Sequence, residues 1–243
     1  MSLYGDMGNI IALKYFYREI DIEVIYQPVE IAAELPEHTD IYFMGGGQDK
    51  EQEKVASDLM GKKASILDDL ENDTPLLTIC GGYQLFGERF LTGNGVELEG
   101  LGWFPVVTKA MDAQIQSRCI GNIVEDCQIA GLEGVRLVGF ENHGGQTYFT
   151  DPTPYPLGKV VRGFGNNFEE KIEGCVKKNT IGTYMHGSFL PKNPEITKWL
   201  IQKTLEHKLG GEVLSQCLSK LDKLDIEISM QAKHALIKRF LEK

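Results

Sequence analysis

The stretch from Pro75 to Tyr83 constrains the fold of this chain more than any other part of its sequence. Residues 75–79 form a mainly apolar run without polar alternation, which is typical of a strand buried on both faces of a parallel sheet. A helix-compatible stretch, 83–91, follows after one cysteine and two glycines, so the chain must turn from strand to helix within about three residues. We therefore predict an α/β domain with a sharp strand–turn–helix connection at Cys80.

Cys80 is our candidate nucleophile, because such a turn suits a reactive thiol. It holds the side chain at the carboxyl end of the sheet and directs the following backbone N–H groups towards an incoming carbonyl oxygen. It also sets the sulfur at a helix N-terminus, where the positive end of the helix favours thiolate. The alternative is that Cys80 is a small buried hydrophobic residue. Gly81 and Gly82 favour the nucleophile, since glycine costs backbone entropy at a helix start and is best explained by close approach of the backbone to a ligand.

Composition limits the classes of protein to which the chain can belong. With 243 residues it is long enough for one large domain, or for a domain with an appendage. A formal net charge of −10 argues against nucleic acid as a partner, because phosphate binding needs a basic surface. No run approaches the roughly 18 apolar residues of a membrane span, and no basic-then-apolar signal peptide is visible, so we expect a cytoplasmic protein.

The cysteines give no sign of a second site. There are five, an odd number, and none forms a Cys-x-x-Cys pair, which argues against a disulfide framework and against a zinc site. We therefore expect no metal, and we assign no role to Cys119, Cys127, Cys175 and Cys217.

Several motifs, in their joint order, resemble those of the class I glutamine amidotransferases, in which a Cys-Gly elbow cysteine attacks the side-chain amide of glutamine. The similarity is greatest to the cobyric acid synthase-like branch. Within it, the chain is most similar to the glutaminase subunits that amidate the peptidoglycan precursor lipid II together with a Mur-ligase-like partner. The motifs lie at residues 3–10, 43–49, 78–84, 99–102, 139–145, 163–167 and 182–187. They run to about Phe189, and the similarity beyond that point is only general.

The order of apolar and polar segments predicts a mainly parallel sheet flanked by helices, with an antiparallel excursion and extra carboxyl-terminal helices. Predicted strands lie at residues 22–29, 40–44, 75–79, 101–107, 114–125, 135–140, 160–164, 173–176 and 181–185. Predicted helices lie at residues 9–19, 48–72, 83–91, 195–209 and 213–243, the last with a break near 222–225. We expect a glutamine amidotransferase domain at 1–211 and a helical extension packed on it at 212–243.

No strand precedes the first predicted helix, although α/β domains usually open with one. The resembled family carries a strand ahead of its Tyr-x-Asp-x-Gly-Asn motif. A sheet without that strand would leave an exposed parallel edge. Of the two explanations, a start codon placed late and a sheet with one strand fewer, we favour the first.

A thiolate nucleophile needs a base that keeps it ionised and later protonates the leaving ammonia, and histidine has a suitable pKa for both. Three of the five histidines are expected to be surface or structural residues, namely His38, His207 and His234. His143 and His186 each stand beside glycine at the end of a strand-like run, and from the residues alone they are near-equal candidates. The resemblance implies that His186 is the base. We expect His143, with Asn142, to shape the site or to meet a partner subunit.

The position that most often carries the orienting glutamate of the resembled family, two residues after the histidine, is Ser188. Without a carboxylate, the His186 imidazole has less help in holding its tautomer. A cysteine–histidine dyad could suffice, another acid such as Glu141 could fold into range, or a partner subunit could supply an acid in trans. We favour the third, because it would suppress wasteful glutamine hydrolysis until the complex forms.

The remaining site predictions concern the oxyanion and the substrate. By resemblance, a glycine turn supplies part of the oxyanion hole, and we assign the donors as the N–H groups of Gly46 or Gly47 and of Gly81. Arg118 could clamp the α-carboxylate of glutamine in bidentate fashion, or be a surface strand arginine. Gln84 either contacts the glutamine amide or starts the helix.

The resemblance implies hydrolysis of glutamine to glutamate and ammonia. No Gly-x-x-x-x-Gly-Lys-Ser/Thr phosphate loop occurs, so we expect no cofactor in this chain, and ATP with magnesium on a partner ligase. By resemblance that partner is a Mur-ligase-like subunit, and the acceptor is the D-glutamate of lipid II. The alternatives are a glutaminase for corrinoid precursors and a non-catalytic scaffold with an amidotransferase fold.

Overall fold

A computed structural model of the chain describes residues 5–47, 49–93, 95–110, 118–151 and 155–242. Its helices are α1 (Met7–Glu19), α2 (Asp49–Gly61), α3 (Lys63–Glu71), α4 (Gly81–Phe86), α5 (Phe189–Lys192), α6 (Pro194–Lys208), α7 (Gly211–Lys223) and α8 (Glu227–Leu241). Its strands are β1 (Tyr42–Met44), β2 (Leu76–Ile79), β3 (Arg89–Leu91), β4 (Glu97–Glu99), β5 (Val106–Ala110), β6 (Cys119–Cys127), β7 (Arg136–His143), β8 (Gly145–Phe149), β9 (Gly158–Arg162), β10 (Ile172–Glu173), β11 (Cys175–Lys177) and β12 (Thr180–Thr183). None of the helices in these ranges combines the length and the apolar character needed to cross a membrane.

The central sheet has the strand order β1-β2-β12-β11. Strand β2 lies in its interior, pairs in parallel with both β1 and β12, and is buried along its whole length, as its apolar sequence predicts. Strands β11 and β12 form the predicted antiparallel pair ahead of His186. Because β1, β2 and β12 are parallel, their carboxyl ends meet at one edge of the sheet, which is where α/β proteins place their sites.

The antiparallel part of the fold is larger than the sequence suggests. Eight of the twelve strands within the described residues belong to two further four-stranded sheets, ordered β10-β9-β6-β7 and β4-β3-β5-β8. Strands β6 and β7 pair from Cys119↔His143 to Asp126↔Arg136. An isolated bridge between Phe140 and His186 joins β7 to the segment after β12. The predicted α/β class is confirmed, and the sheet that leads into Cys80 holds most of the parallel pairing.

The strand predicted at residues 22–29 is wrong. That segment has no regular secondary structure, and Ile25 is 88% exposed. Alternating apolar residues form a stable strand only where neighbouring strands or a packed helix support it. Within the described residues β1 is the edge of the central sheet and pairs only with β2, so residues 22–29 do not join it.

Two predicted helices differ from the observed ones, in both cases near a glycine. The helix predicted at 48–72 is divided into α2 and α3 just after Gly61, and its first predicted residue lies outside the described residues. The helix predicted at 83–91 stops at Phe86, because Gly87 is extended with ψ −175° and leads the chain into β3.

The strand predicted at 101–107 is mostly a loop, since β5 begins only at Val106. Leu101 and Phe104 are buried there, and their N–H groups donate to carbonyl oxygens in the last turn of α4. The N–H groups of these residues therefore bond to the free carbonyl groups at the end of a helix instead of pairing within a sheet.

The other predicted strands of the second half are present with shifted ends. The strand predicted at 114–125 corresponds to β6, which begins at Cys119, and residues 114–117 lie outside the described part of the chain. The strands predicted at 135–140 and 160–164 correspond to β7 and β9. Strand β8 was not predicted.

The carboxyl-terminal helices pack on the rest of the described chain. The break predicted near 222–225 lies between α7 and α8. Helix α7 contacts α1 and α6, while α8 contacts α5, β6 and β7. Lys233 of α8 is buried and forms a 2.7 Å salt bridge with Glu195 of α6. The division of the chain at residue 211 remains a prediction.

Candidate active site

The predicted elbow is present at the carboxyl end of β2. Cys80 has φ +52° and ψ −106°, a conformation that is costly for a non-glycine residue and that turns the chain directly into α4. Its N–H donates to the carbonyl oxygen of Thr183 at 2.7 Å, which fixes the elbow to the end of β12. Cys80 is 8% exposed, so its sulfur lies in a largely enclosed position.

The glycines after Cys80 have a different cause from the one that the sequence suggests. A Cβ on Gly82 would lie 2.7 Å from the carbonyl oxygen of Met44, and one on Gly81 would lie 3.0 Å from the amide nitrogen of Gly47. Packing within the protein therefore explains both glycines without a ligand, since backbone requires Gly82 and a Cβ on Gly81 would also lie 2.8 Å from the side-chain amide nitrogen of Gln52.

His186 reaches the same edge of the sheet from β12, which ends level with β2. A Cβ on Gly46 would lie 2.8 Å from Cε1 of His186 and 3.5 Å from Cβ of Cys80, so both side chains flank this glycine. Burial lowers the pKa of His186, but hydrogen bonds to Asp6 and Cys80 outweigh burial and raise the pKa to about 9. The structure thus places the two predicted catalytic side chains on either side of Gly46, close enough for Cys80 to raise the pKa of His186.

His143 lies nearby in a different state. Its Nδ1–H donates to the carbonyl oxygen of Gly145 at 2.8 Å, and its ring stacks on Tyr184 with centroids 3.7 Å apart and planes 12° apart. Burial lowers the pKa of His143 to about 3, so the ring is neutral at physiological pH. Of the two histidines that the residues alone left open, His186 is the one whose pKa is raised by Asp6 and Cys80.

A carboxylate that the sequence analysis missed lies at His186. Oδ1 of Asp6 is 3.2 Å from Nδ1 of His186, and both side chains are fully buried. Oδ2 of Asp6 accepts a hydrogen bond from the N–H of Gly46 at 2.7 Å. The signal in the sequence was the position of Asp6 within the motif at residues 3–10, whose first two residues lie outside the described residues. The chain therefore has an acid of its own at His186, and the premise that the imidazole lacks a carboxylate is corrected, while an acid supplied in trans stays a prediction.

Ser188 and Glu141 have other partners. Oγ of Ser188 donates to the carbonyl oxygen of Gly5 at 2.7 Å. Glu141 is buried and accepts hydrogen bonds from the N–H groups of Phe164 at 2.8 Å and Gly165 at 3.0 Å. Burial raises the pKa of Glu141 to about 7. Its carboxylate is thus committed to the loop after β9.

The structure favours Gly47 over Gly46 as the oxyanion donor from the glycine turn. The N–H of Gly46 already donates to Asp6 and is not available to an oxyanion. The amide nitrogen of Gly47 lies 3.0 Å from the position of a Cβ on Gly81, so these two backbone segments face each other beside Cys80. Their role as donors stays a prediction.

Gln84 belongs to a buried hydrogen-bond network behind the elbow. Its Oε1 accepts from Nε2 of Gln52, and its Nε2 donates to the hydroxyl of Tyr184, both at 3.1 Å. That hydroxyl in turn lies 2.6 Å from Oγ1 of Thr147. Both ends of the Gln84 amide are engaged, which favours a structural role over contact with glutamine.

Arg118 and Asn142 lie together at the ends of β6 and β7. Nε of Arg118 donates to Oδ1 of Asn142, and Nη2 donates to its carbonyl oxygen, both at 3.2 Å. Arg118 is exposed, and a Cβ on Gly144 would lie 3.5 Å from its Nη1. Asn142 therefore fixes the orientation of an exposed guanidinium next to the strand pair that carries His143.

The other cysteines do not form a second site. Cys119, Cys127 and Cys175 are buried, and Cys217 is half-buried on α7. Burial raises the pKa of Cys119 and Cys127 to about 11, so they remain thiols at neutral pH. Across the ranges that the structure covers, no cluster of three or more His, Cys, Asp or Glu side chains could hold a metal ion.

The sequence matches the family described as CobB/CobQ-like glutamine amidotransferase domain over residues 1–194. It is 40% identical over 240 residues to the lipid II isoglutaminyl synthase (glutamine-hydrolyzing) subunit GatD of Staphylococcus aureus (strain N315), across 98% of this chain and 91% of that protein. The subunit of the same name from Streptococcus pneumoniae (strain ATCC BAA-255 / R6) is 40% identical over 217 residues, across 88% of this chain and 80% of that protein.

A third relative and a solved structure are more distant. A probable cobyric acid synthase of Methanothermobacter thermautotrophicus is 34% identical over 132 residues, which is 52% of this chain and 26% of that protein. A crystal structure of a glutamine amidotransferase superposes with a TM-score of 0.57 at 12% identity, covering 83% of this chain and 95% of the other. That superposition supports the fold alone.

Proposed function

Because the chain belongs to the CobB/CobQ-like glutamine amidotransferase family, we propose that it is the glutaminase subunit of a lipid II isoglutaminyl synthase. The observation that carries the chemistry is the pairing of Cys80 with His186 at the carboxyl edge of the central sheet. Identity to two GatD subunits along most of the chain supports the finer assignment.

Cleavage of the amide takes place in two halves. The Cys80 thiolate attacks the side-chain carbonyl carbon of glutamine, and the N–H groups of Gly47 and Gly81 stabilise the oxyanion. The C–N bond then breaks while His186 gives its proton to the leaving nitrogen, so ammonia departs and a glutamyl thioester remains. Water attacks the thioester, His186 takes a proton from that water, and the C–S bond breaks to give glutamate and the starting thiolate.

Arg118 is the proposed anchor for the substrate. Asn142 occupies Nε and Nη2 of the guanidinium, which fixes the plane of the group before glutamine arrives. An exposed, oriented guanidinium suits the α-carboxylate of an amino acid. His143, neutral and stacked on Tyr184, is proposed to shape the floor of the site without moving protons.

Ammonia is useful only where an acceptor is activated, so the proposal includes a partner. We expect a heterodimer with a MurT-like Mur ligase subunit that binds ATP and magnesium and presents the D-glutamate of lipid II as the acceptor. This chain would bind L-glutamine and no nucleotide of its own. The proposed reaction places it in the cytoplasm, where glutamine and ATP are available.

The test is glutamate release and lipid II amidation by the chain purified together with its MurT-like ligase. Cys80→Ala should lower glutamate release at least about 1,000-fold and abolish amidation, because the nucleophile is lost. Cys217→Ala, which removes a half-buried thiol on α7, is the matched control and should behave as wild type. Supplying ammonium chloride should restore amidation by the Cys80→Ala complex, since the ligase itself is intact.

The outcomes separate the alternatives. Glutamate release that survives Cys80→Ala would refute the glutaminase mechanism. Wild-type glutamine hydrolysis without any change in lipid II mass, but with amidation of a cobyrinate acceptor, would reassign the enzyme to corrinoid chemistry. No hydrolysis by the complete wild-type complex would indicate a scaffold.

A further inference from the structure

We infer that the segment Gly5–Asn9, here called the amino-terminal clasp, supplies the positioning carboxylate of the active site and that Ser188 holds it in place. The inference rests on the proposed glutaminase function and adds two residues to it, Asp6 and Ser188. Neither residue touches the reacting atoms, so both are positioning residues.

The first step concerns the imidazole. Oδ1 of Asp6 lies 3.2 Å from Nδ1 of His186 in a fully buried pair. An Nδ1–H held by a carboxylate leaves Nε2 as the nitrogen that exchanges a proton with the sulfur and with ammonia. The carboxylate also stabilises the imidazolium that forms. The other ionisable groups that influence His186 are Cys80 at the elbow and, from β7, neutral His143.

The second step concerns the glycine turn after β1. The other oxygen of Asp6 accepts the N–H of Gly46 at 2.7 Å. A Cβ on Gly46 would lie 2.8 Å from Cε1 of His186, so the turn is in direct contact with the ring. One carboxylate therefore sets two distances at once: it holds the ring of the base, and it holds the turn whose next residue, Gly47, is the proposed oxyanion donor.

The third step concerns what holds Asp6. Ser188 has φ +54°, and its Oγ donates to the carbonyl oxygen of Gly5 at 2.7 Å. A Cβ on Gly8 would lie 2.1 Å from that Oγ, so only glycine leaves room for the hydroxyl. Oδ1 of Asn9 accepts the N–H of Leu190 at 2.8 Å. The segment after His186 thus forms hydrogen bonds with the clasp on both sides of Asp6.

The arrangement explains both an unusual serine and the spacing of a motif. Two residues after the histidine, where the resembled family most often has glutamate, this chain has Ser188. The serine does not replace that acid itself; it secures a segment that delivers an acid from the other end of the chain. Holding this carboxylate beside His186 involves four residues of the clasp, namely Gly5, Asp6, Gly8 and Asn9.

The inference is tested on the chain in complex with its ligase, using Asp6→Asn and Ser188→Ala. Asp21→Asn, an exposed acid just after α1, and Ser215→Ala, whose hydroxyl also donates to a backbone carbonyl, are the matched controls. Asp6→Asn should lower glutaminase kcat by roughly 100- to 10,000-fold with little change in KM, because tautomer control is lost. Ser188→Ala removes one neutral hydrogen bond and should cost roughly 2- to 10-fold in kcat.

A pH profile distinguishes positioning from a merely structural role. In both variants the alkaline limb of kcat/KM should move to lower pH, because the imidazolium has lost its carboxylate or that carboxylate is less firmly held. The pH dependence of Cys80 alkylation by iodoacetamide, read by peptide mass spectrometry, gives a second readout without substrate, and it should differ from wild type in both variants because the imidazolium stabilises the thiolate. The pH profiles are compared only for variants whose circular dichroism and unfolding midpoint match those of wild type.

Wild-type kcat and an unmoved alkaline limb in Asp6→Asn would overturn the inference. So would a normal alkylation profile in Ser188→Ala, which is the milder change if Asp6→Asn fails to fold. Loss of activity in Cys80→Ala together with full activity in Asp6→Asn would support the proposed function and refute only the inference about the clasp. Activity retained in Cys80→Ala would remove the proposed function itself.

Discussion

Replacing Glu173 by glutamine should make the stability of the folded chain less dependent on pH. Glu173 is fully buried on β10, where Oε1 accepts the N–H of Tyr184 at 2.6 Å and Oε2 accepts the hydroxyl of Thr183 at 2.9 Å. Burial raises the pKa of Glu173 from 4.5 to about 8. The folded protein therefore holds this proton far more tightly than the unfolded chain does.

The sign follows from which state binds the proton. Between pH 4.5 and about 8 the folded state keeps the Glu173 proton while the unfolded state releases it. The free energy of unfolding therefore falls as pH rises, by up to about 1.4 kcal/mol per pH unit. The stabilising contribution is complete below pH 4.5 and is lost as pH rises through about 8.

Glutamine imitates the protonated acid at every pH. Its Oε1 can accept the Tyr184 N–H and its Nε2 can donate to Oγ1 of Thr183, in the positions of the two carboxylate oxygens. Glu173→Gln should therefore match wild type near pH 5 and exceed it by a margin that grows to a few kcal/mol at pH 8.

Urea unfolding at pH 5, 6, 7 and 8, followed by the fluorescence of buried Trp103, measures this margin. Glu23→Gln, a change at an exposed site, is the control for loss of charge alone and should run parallel to wild type. A Glu173→Gln curve that also runs parallel to wild type, or that falls below it at pH 8, would refute the argument.

Other changes have outcomes set by close contacts in and around the site. Gly46→Ala should lower kcat at least about 100-fold without unfolding, since its Cβ would lie 2.8 Å from Cε1 of His186; near-normal glutaminase kinetics would contradict this. Gly182→Ala should lower stability by about 1–3 kcal/mol, because its Cβ would lie 2.2 Å from Cδ2 of buried Tyr83, and an unchanged urea midpoint would count against it. Glutaminase kcat/KM should fall as pH rises through about 9, where His186 loses the proton that it gives to ammonia; a profile flat to pH 10 would point to another acid.

The parts that the sequence predicts well are those in which neighbouring residues decide the outcome. The apolar run at 75–79 is a buried strand followed by a cysteine and two glycines, and β2 and the elbow lie where expected, although α4 ends five residues early at Phe86. The helix at 195–209 and the break between α7 and α8 are similarly local. His186 needed the family resemblance, because His143 has the same local signature of a strand end beside glycine.

The features that the sequence does not predict depend on contacts between residues that are distant in the chain. Asp6 meets His186 across 180 positions, so nothing near position 188 reveals that the acid is present. The other carboxylate oxygen of Asp6 accepts the N–H of Gly46. That bond occupies a donor that the sequence of the glycine turn offers to an oxyanion. Residues 22–29 alternate as a strand would, but a strand also requires a neighbour, and no local pattern supplies one.

The clasp has a practical consequence for anyone who expresses this protein. Any insertion next to Gly5 lies within a few residues of Asp6, whose carboxylate is buried against the imidazole and the glycine turn. Loss of activity after such an insertion would therefore report on the position of this carboxylate and not on the residues that react with glutamine.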